Sequence, residues 1–350
     1  MNKNIFFYWN DIPLYAAYQL KYLIDNSQYN LFVITNKKNF QYNFIKKILR
    51  NNIFFLNENN NTYLTDLILK KNPDYIFSSG WAYKNINNFI KIIKKVKPDI
   101  TTIMMMDNSK KNNFRQLIGK FIFIFFIKKY YDYFWVPGSS SLNLLNYFNV
   151  DKKKIFTGLY SFSKKIFYVS KKLENRDPNF VFIGQLIDRK NFFLLLKSFL
   201  LFKKKNTTSK LIIIGNNIDN INLNIYKNKD IIFKLNQTPQ QTAKILNSCR
   251  YFILPSKDDH WPLAYLESVA CGCVSIVSKY IGSISDLKKG NNSIVISNLS
   301  KISISEVFSS VLMLDSKKLR NIEGQNNIIA KKYSNDNFLI NFNKIIYNLK

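Results

Sequence analysis

The chain is predicted to be an α/β protein of two domains, each built on a mostly parallel sheet with helices on both faces. Three observations predict this. Short apolar runs of strand length alternate with longer amphipathic stretches along the whole chain. The 350 residues suit two domains of ordinary size. A hydrophobic content of 47% can fill two cores and argues against global disorder.

In the first half, residues 4–9 (NIFFYW) are the first expected strand. Asp11-Ile12-Pro13 makes a turn, and 14–25 reads as a helix. Residues 31–34 (LFVI) suggest the next strand, 44–49 a helix, 53–56 an extended segment and 64–70 another helix. A strand over 74–78 ends at Ser79-Gly80-Trp81 and precedes a helix over 86–95. Residues 101–106 (TTIMMM) form a strand with Asp107 and Asn108 just past its end, and 132–136 form another before Pro137-Gly138. The most apolar run, 121–127 (FIFIFFI), lies between Lys120 and Lys128 and is far too short to span a bilayer. A buried helix or strand is expected there, with a membrane-dipping element as the sharper alternative.

Residues 158–178 are polar and charged and read as an inter-domain linker. A second alternating run starts at Asn179. Residues 180–200 read as strand, glycine turn, loop and amphipathic helix, and 211–215 (LIIIG) as a buried strand ending in a glycine turn. Residues 229–235 give another strand, and 239–248 a helix leading into the strand 251–254. Helices are expected over 303–314 and 317–331, and 335–349 carries Phe338, Leu339, Phe342, Ile345 and Ile346 at helical spacing. No internal repeat of solenoid or propeller period is present. The expected division is a first domain over 1–157, a linker over 158–178, a second domain over 179–332 and a final helix over 333–350.

The formal net charge is +30, carried mostly by scattered Lys. One reading is a compositional bias towards Lys and Asn; the other is attraction to an anionic membrane surface. Nucleic acid is not an expected partner, because no recognition motif is present and Arg, the preferred base reader, is scarce. Cys249, Cys271 and Cys273 form no disulfide framework and lack metal-site spacing, which fits a reducing cytoplasm. With His260 as the one histidine, a histidine-rich metal centre is excluded, and no nucleophile elbow accompanies it for hydrolase chemistry. No secretory signal is expected, since the N-terminus runs straight into a strand pattern.

The most informative segment is 251–287, YFILPSKDDHWPLAYLESVACGCVSIVSKYIGSISDL. It reads as a strand, a polar loop, a short helix and a second strand. Pro262 suits the first helical turn and Gly272 the stop. Leu263, Leu266 and Ala270 follow helical spacing. Such a helix N-terminus after a strand is a natural seat for a phosphate. Asp259 and Glu267 stand eight positions apart across the loop-to-helix junction.

This segment resembles the signature of the family-four retaining glycosyltransferases (glycosyl transferases group 1). Pro255, Ser256, Glu267, Ala270, Cys271 and Gly272 match, while Asp259 replaces the usual first Glu. The run FVFIGQLIDRK at 180–190 agrees with it: Gly184 and Leu186 match the family's Gly-Arg-Leu, Lys190 falls where its Lys is expected, and Gln185 replaces the Arg. The resemblance covers 179–287 well and the first half weakly. It implies the GT-B fold, which is two facing Rossmann-like domains with a donor cleft between them and a C-terminal helix crossing back to the first domain.

The resemblance further implies transfer of a sugar from a nucleotide-sugar donor with retention of configuration, by front-face attack in which a diphosphate oxygen helps to take the proton. No cofactor and no metal is expected. Lys190 would grip the diphosphate, with Gln185 offering neutral hydrogen bonds and Arg189 part of the missing charge. Gly184, Gly215 and Gly282 would let backbone approach the donor. Glu267 would hold the ribose hydroxyls, and Asp259 would lie near the sugar, with Asp258 competing for that role. His260, Trp261, Pro262 and Leu263 complete the donor loop.

On the acceptor side, 9–13, 79–83, 107–108 and 138–139 fall at the carboxyl ends of expected strands, where ligands of such sheets bind. The same residue types also suit ordinary turns. Asp107 is the carboxylate at a clean strand end, and so the candidate to orient or deprotonate an acceptor hydroxyl. The expected acceptor is a surface glycan or lipid-linked sugar of lipopolysaccharide or polysaccharide biosynthesis. The expected location is cytoplasmic, with peripheral attachment at the inner face of the plasma membrane. The leading alternative is a non-catalytic GT-B protein that binds a glycan or a partner, motivated by Gln185 and Asp259. An epimerase would need more acids and histidines near the sugar, and a phosphorylase would need a pyridoxal phosphate lysine motif.

Overall fold

A computed structural model of the protein describes residues 3–36, 42–56, 61–111, 113–204, 208–217 and 219–349. In chain order its elements begin β1 (Asn4–Trp9), α1 (Leu14–Asn26), β2 (Asn30–Asn36), α2 (Tyr42–Leu49), β3 (Ile53–Leu56), α3 (Asn61–Lys71), β4 (Tyr75–Ser79), α4 (Lys84–Val96), β5 (Thr101–Met105), α5 (Phe114–Ile122), β6 (Tyr133–Val136), α6 (Ser139–Tyr147) and β7 (Ile155–Thr157). They continue β8 (Asp177–Ile183), α7 (Phe192–Lys203), β9 (Leu211–Gly215), β10 (Ile231–Leu235), α8 (Pro239–Ser248), β11 (Cys249–Leu254), α9 (Leu263–Ala270), β12 (Val274–Ser278), α10 (Ile284–Leu287), β13 (Ser293–Ile296), α11 (Lys301–Val311), α12 (Ser316–Lys332) and α13 (Asn335–Asn348). The chain divides into two units, Met1–Ser161 with Asn335–Lys350, and Phe162–Ser334.

The first unit holds a sheet of seven strands in the order β3-β2-β1-β4-β5-β6-β7, and every pair is parallel. Ile5, Phe6, Phe7 and Tyr8 are consecutively buried. A strand covered on both faces requires such an unbroken apolar run. On one face Ile86, Phe89, Ile90 and Ile93 of α4 join Phe6, Ile76 and Met104 in a single core. On the other, α13 lays Phe338 flat on Trp135, with ring centroids 5.2 Å apart. Its Phe342 meets Phe7 and Phe77. Tyr22 of α1 donates a hydrogen bond to Asp336 at 2.6 Å, fixing the start of α13.

The second unit holds a six-stranded sheet, β10-β9-β8-β11-β12-β13, again parallel throughout. Its core centres on Phe180, stacked on Tyr251 at 4.8 Å and edge-on to Phe308 of α11 at 4.5 Å. α9 stops where the sequence predicts. Gly272 adopts φ +81°, the Gly272 N–H donates to the Val269 carbonyl, and the Cys273 N–H donates to the Ser268 carbonyl. That is a Schellman closure, which needs a residue free of Cβ strain at the left-handed position. All three cysteines are free and buried. Burial pushes the Cys249 thiol up to about 12 and the Cys273 thiol to about 11, so both stay protonated.

In each unit the strand order turns back at one point, between β1 and β4 in the first and between β8 and β11 in the second. The loops leaving neighbouring strands diverge there and leave a crevice at the carboxyl edge.

Two sequence expectations change. Residues 158–178 are not a linker, since everything from Phe162 belongs to the second unit. Phe162, Phe167 and Leu173 are buried, and the Phe162 N–H donates to the Tyr333 carbonyl. The Lys-rich surroundings hide these spaced anchors from a composition reading. Arg176 is buried too, and its guanidinium donates to the carbonyls of Lys171, Leu246 and Cys271. The run 121–127 is helical, yet only Phe123 and Ile127 are buried, while Phe125 and Phe126 are 61% and 69% exposed. α6, β7 and β13 are too short to announce themselves by periodicity.

Arg176→Met leaves several buried carbonyls without donors. Each such loss costs roughly 1–3 kcal/mol, so urea unfolding is expected to show a destabilisation of about 3 kcal/mol. A change under about 0.5 kcal/mol would mean that the guanidinium does not tie these loops together.

Candidate active site

The carboxyl edge of the second sheet assembles most of the predicted donor residues. β8 ends at Ile183, and Gly184 follows. The Lys190 stem passes beside Gly184, where a Cβ would lie 3.7 Å from both its Cδ and Cε, in ordinary van der Waals contact. Lys190 closes a short 3-10 turn, Asp188–Lys190, held by the left-handed Asn191 at φ 60°. Its ammonium forms a buried ion pair with Asp259. Arg189 approaches the other carboxylate oxygen at 3.6 Å and donates to the Asp258 carbonyl at 2.9 Å. Asp259 is the acid paired with both of these cations. The two loops are also joined by a backbone bond from the Lys257 N–H to the Arg189 carbonyl and by Lys257 to Asp188 at 2.6 Å.

Asp259 is held by its backbone as well as its side chain. Its N–H donates to the Tyr280 carbonyl at 3.3 Å, and its carbonyl accepts from the Gly282 N–H at 2.8 Å. The Gly282 amide is thus spent on fixing the loop after β12 against the loop before α9. Trp261 is turned inward, its indole N–H donating to Asp286 and its ring against Tyr333. It anchors the loop instead of opening onto a ligand. Gly215 also has a packing reason: a Cβ there would stand 1.8 Å from the Gly184 carbonyl oxygen. Gln185 is exposed, and His260, Leu263 and Glu267 are partly exposed along this edge.

Pro262 is the N-cap of α9, and no side chain caps that end. The first amides of the helix are left for a ligand or solvent, and the helix dipole favours an anion there. The carboxyl of Glu267, one turn further on, has no hydrogen-bonding or ionic partner among the described residues. Burial raises its pKa from 4.5 to about 7. A partnerless carboxyl of this kind is ready to accept hydroxyl donors.

Three further polar groups stand on the same edge, of which the sequence marks Ser256 as part of the family match. The hydroxyls of Ser256 and Ser283 and the amide nitrogen of Asn191 are buried without a partner. Ser256 follows β11, Ser283 precedes α10 and Asn191 opens α7. Unsatisfied buried polar groups cost about 1–3 kcal/mol each and call for an explanation. Their spacing beside Lys190 and Gly282 was visible; their burial was not.

The first unit carries a cavity of about 300 Å³ at its own reversal point. Trp9, Asp11 and Pro13 line it from the loop after β1, and Ser79 to Tyr83 from the loop after β4. Asp107 and Asn108 line it from the loop after β5. Gly138 and Ser139, placed on this rim by sequence, instead start α6 outside the cavity lining. Asp107 accepts a hydrogen bond from the Tyr160 hydroxyl at 2.8 Å, and Tyr15 donates to Tyr160 at 3.3 Å. Burial and the Asp107 charge push the Tyr160 phenol well above its ordinary value, so it remains a donor. The Ser79 hydroxyl is buried without a partner in the same wall.

Two parallel units of this strand order, with ligand-ready loops at each reversal point, define the GT-B fold class. Solved structures share it over nearly the whole chain. The Anabaena Alr3699/HepE protein in complex with UDP and glucose is 10% identical, with a TM-score of 0.77 over 99% of this chain and 100% of that one. A glycosyltransferase from Rickettsia africae ESF-5 is 12% identical, with a TM-score of 0.78 over 100% and 99%. The lipopolysaccharide outer core galactosyltransferase WaaB is 16% identical, with a TM-score of 0.69 over 98% and 99%. At such identities the likeness shows the fold. No curated protein matches the chain by sequence. Residues 164–328, nearly the whole of the second unit, match the family of glycosyl transferases group 1.

Glu267 makes stability depend on pH with a definite sign. A carboxyl raised from 4.5 to about 7 by folding supports the fold below the lower value and loses that support as pH rises to the upper one. Glu267→Gln is therefore expected to match the native chain near the acid end of this window and to be the more stable protein above it. Equal melting temperatures at both ends would show that the carboxyl is not desolvated.

Proposed function

We propose that the protein is a retaining glycosyltransferase that moves a sugar from a nucleotide-diphosphate donor, held by the second unit, to a hydroxyl of a glycan or lipid-linked acceptor held in the cavity of the first. The observation that carries this reading is the Lys190–Asp259 pair at the reversal point of the second sheet, beside the uncapped start of α9. The bond from the anomeric carbon to the diphosphate oxygen breaks, positive charge builds on the sugar and negative charge on the leaving group. Lys190 and the first amides of α9 meet that negative charge. Asp259 lies beside the sugar carbon, where its carboxylate offsets the developing positive charge. Glu267 accepts the ribose hydroxyls.

The acceptor oxygen forms the new bond on the face the diphosphate leaves, and its proton passes to a diphosphate oxygen. Asp107, oriented by Tyr160, accepts a hydrogen bond from the acceptor hydroxyl and fixes its direction. Metal-independent transfer is part of the proposal, the lysine and the helix end taking the charge-neutralising role. A hexose as the transferred sugar is part of the same proposal, as is an acceptor from lipopolysaccharide or polysaccharide assembly, with which the lysine-rich, aromatic-rich first unit is in keeping.

Titration calorimetry with UDP, GDP and ADP tests the donor assignment. Lys190→Ala is expected to weaken diphosphate binding by about tenfold or more, equivalent to about 1.4 kcal/mol. Asp259→Asn removes a competing carboxylate, and is expected to bind the diphosphate at least as tightly while losing transfer. Unchanged affinity in Lys190→Ala would place the diphosphate elsewhere.

Asp107→Asn is expected to keep native diphosphate affinity and to lose turnover with every donor that the native chain uses. A variant that loses diphosphate affinity and turnover together would remove Asp107 from the acceptor side.

A further inference from the structure

α5 and the turn that extends it are apolar on two opposite sides. One side is the core side: Phe123 is buried edge-on against Trp81, and Gly119 stands so close that a Cβ would lie 2.9 Å from the Trp81 ring. The other side has no cover. Phe114, Ile118, Phe121, Ile122 and Phe125 recur at helical spacing and are exposed, as is Phe126 beside them. Phe114 is 75% exposed and Phe126 69%. The rings of Phe121 and Phe125 lie parallel, 6.4 Å apart. A contiguous apolar stripe of this kind on a water-soluble surface marks an interaction site.

The surrounding charge identifies the occupant. Residues 108–131 contain six Lys or Arg (Lys110, Lys111, Arg115, Lys120, Lys128 and Lys129) and no Asp or Glu. Lys110 and Lys120 both rest on the Tyr147 ring, at 5.0 and 4.2 Å, so two of these ammonium groups share one ring. A protein partner would have to be both apolar and densely acidic. A bilayer with anionic headgroups supplies both at once, with acyl chains for the phenylalanines and phosphates for the lysines. No helix among the described residues is long and apolar enough to cross a membrane. The contact is therefore one that lies in the interface plane.

We propose that α5 and its extension dock the first unit on an anionic membrane surface, with Phe114, Phe121, Phe125 and Phe126 inserted among the lipids. The docking does not depend on the transfer reaction. It would carry the cavity with it, because Trp81, which packs on the inner side of α5, is also part of the cavity wall.

Flotation of the full chain tests the docking, using vesicles of phosphatidylcholine alone or mixed with phosphatidylglycerol, at low and high salt. The native chain is expected to float with the mixed vesicles, and more weakly with the neutral ones or in high salt. The Phe121→Asp/Phe125→Asp double variant, altered only at exposed positions, is expected to lose partitioning by about tenfold or more. Its melting temperature and UDP affinity are expected to stay native. A native chain that does not bind mixed vesicles at low salt would overturn the proposal. So would a double variant that floats as well as the native chain, since net charge alone would then explain binding. A native dimer that the double variant dissociates, with no flotation of either, would assign the stripe to a second copy instead.

Discussion

Lys190 and Asp259 form an ion pair that is almost shut off from water, across the point where the second sheet reverses its order. Burying two charges together is a poor way to stabilise a fold, because the desolvation of each nearly cancels their attraction. The surrounding geometry nevertheless converges on it. The lysine stem passes beside Gly184, Asn191 takes a left-handed turn to present it, and two backbone bonds hold Asp259 from the other side. Such a pair suits exchange. A diphosphate can take the lysine from the carboxylate, and the free carboxylate then stands ready for the positive charge of a breaking sugar bond.

The neighbouring groups fit the same economy of charge. Glu267 lies in protein that disfavours its ionised form, so hydroxyl donors that bind it replace solvation it has already lost. Ser256, Ser283 and Asn191 stand unsatisfied on three loops of one edge. In the first unit, two phenols in series end on Asp107, and Ser79 adds another idle hydroxyl. Each unit therefore has unmet polar groups at the carboxyl edge of its sheet, beside others such as Ser27 and Ser141 that lie elsewhere in the first unit.

Much of this was legible in the residues. The strand at residues 4–9 is read directly from NIFFYW, and the placing of Asp259 in the loop before α9 and of Glu267 on that helix follows from their spacing around Pro262 and Gly272. What failed did so for physical reasons. The segment from Phe162 looks like a linker because its lysines outnumber its anchors, and a guanidinium buried against backbone carbonyls leaves no trace in composition. The stripe on α5 could be seen as apolar, but which side of a helix with apolar residues on two sides meets the core depends on neighbours distant in sequence. Trp261 and Gly215 are set by packing: one ring turns inward to Asp286, and one glycine yields to a carbonyl oxygen.

The path of the chain carries a last consequence. The first unit is built from two separated pieces, and the second is one continuous stretch between them. The ends of that stretch meet, for Phe162 pairs with Ser334 as an isolated bridge. In topology the second unit is an insertion with its two ends side by side. It can complete its sheet while α13 is still unmade, whereas the first unit must wait for the final residues to cover Trp135 and Phe77. During synthesis, the half of the protein that starts first is the half that finishes last.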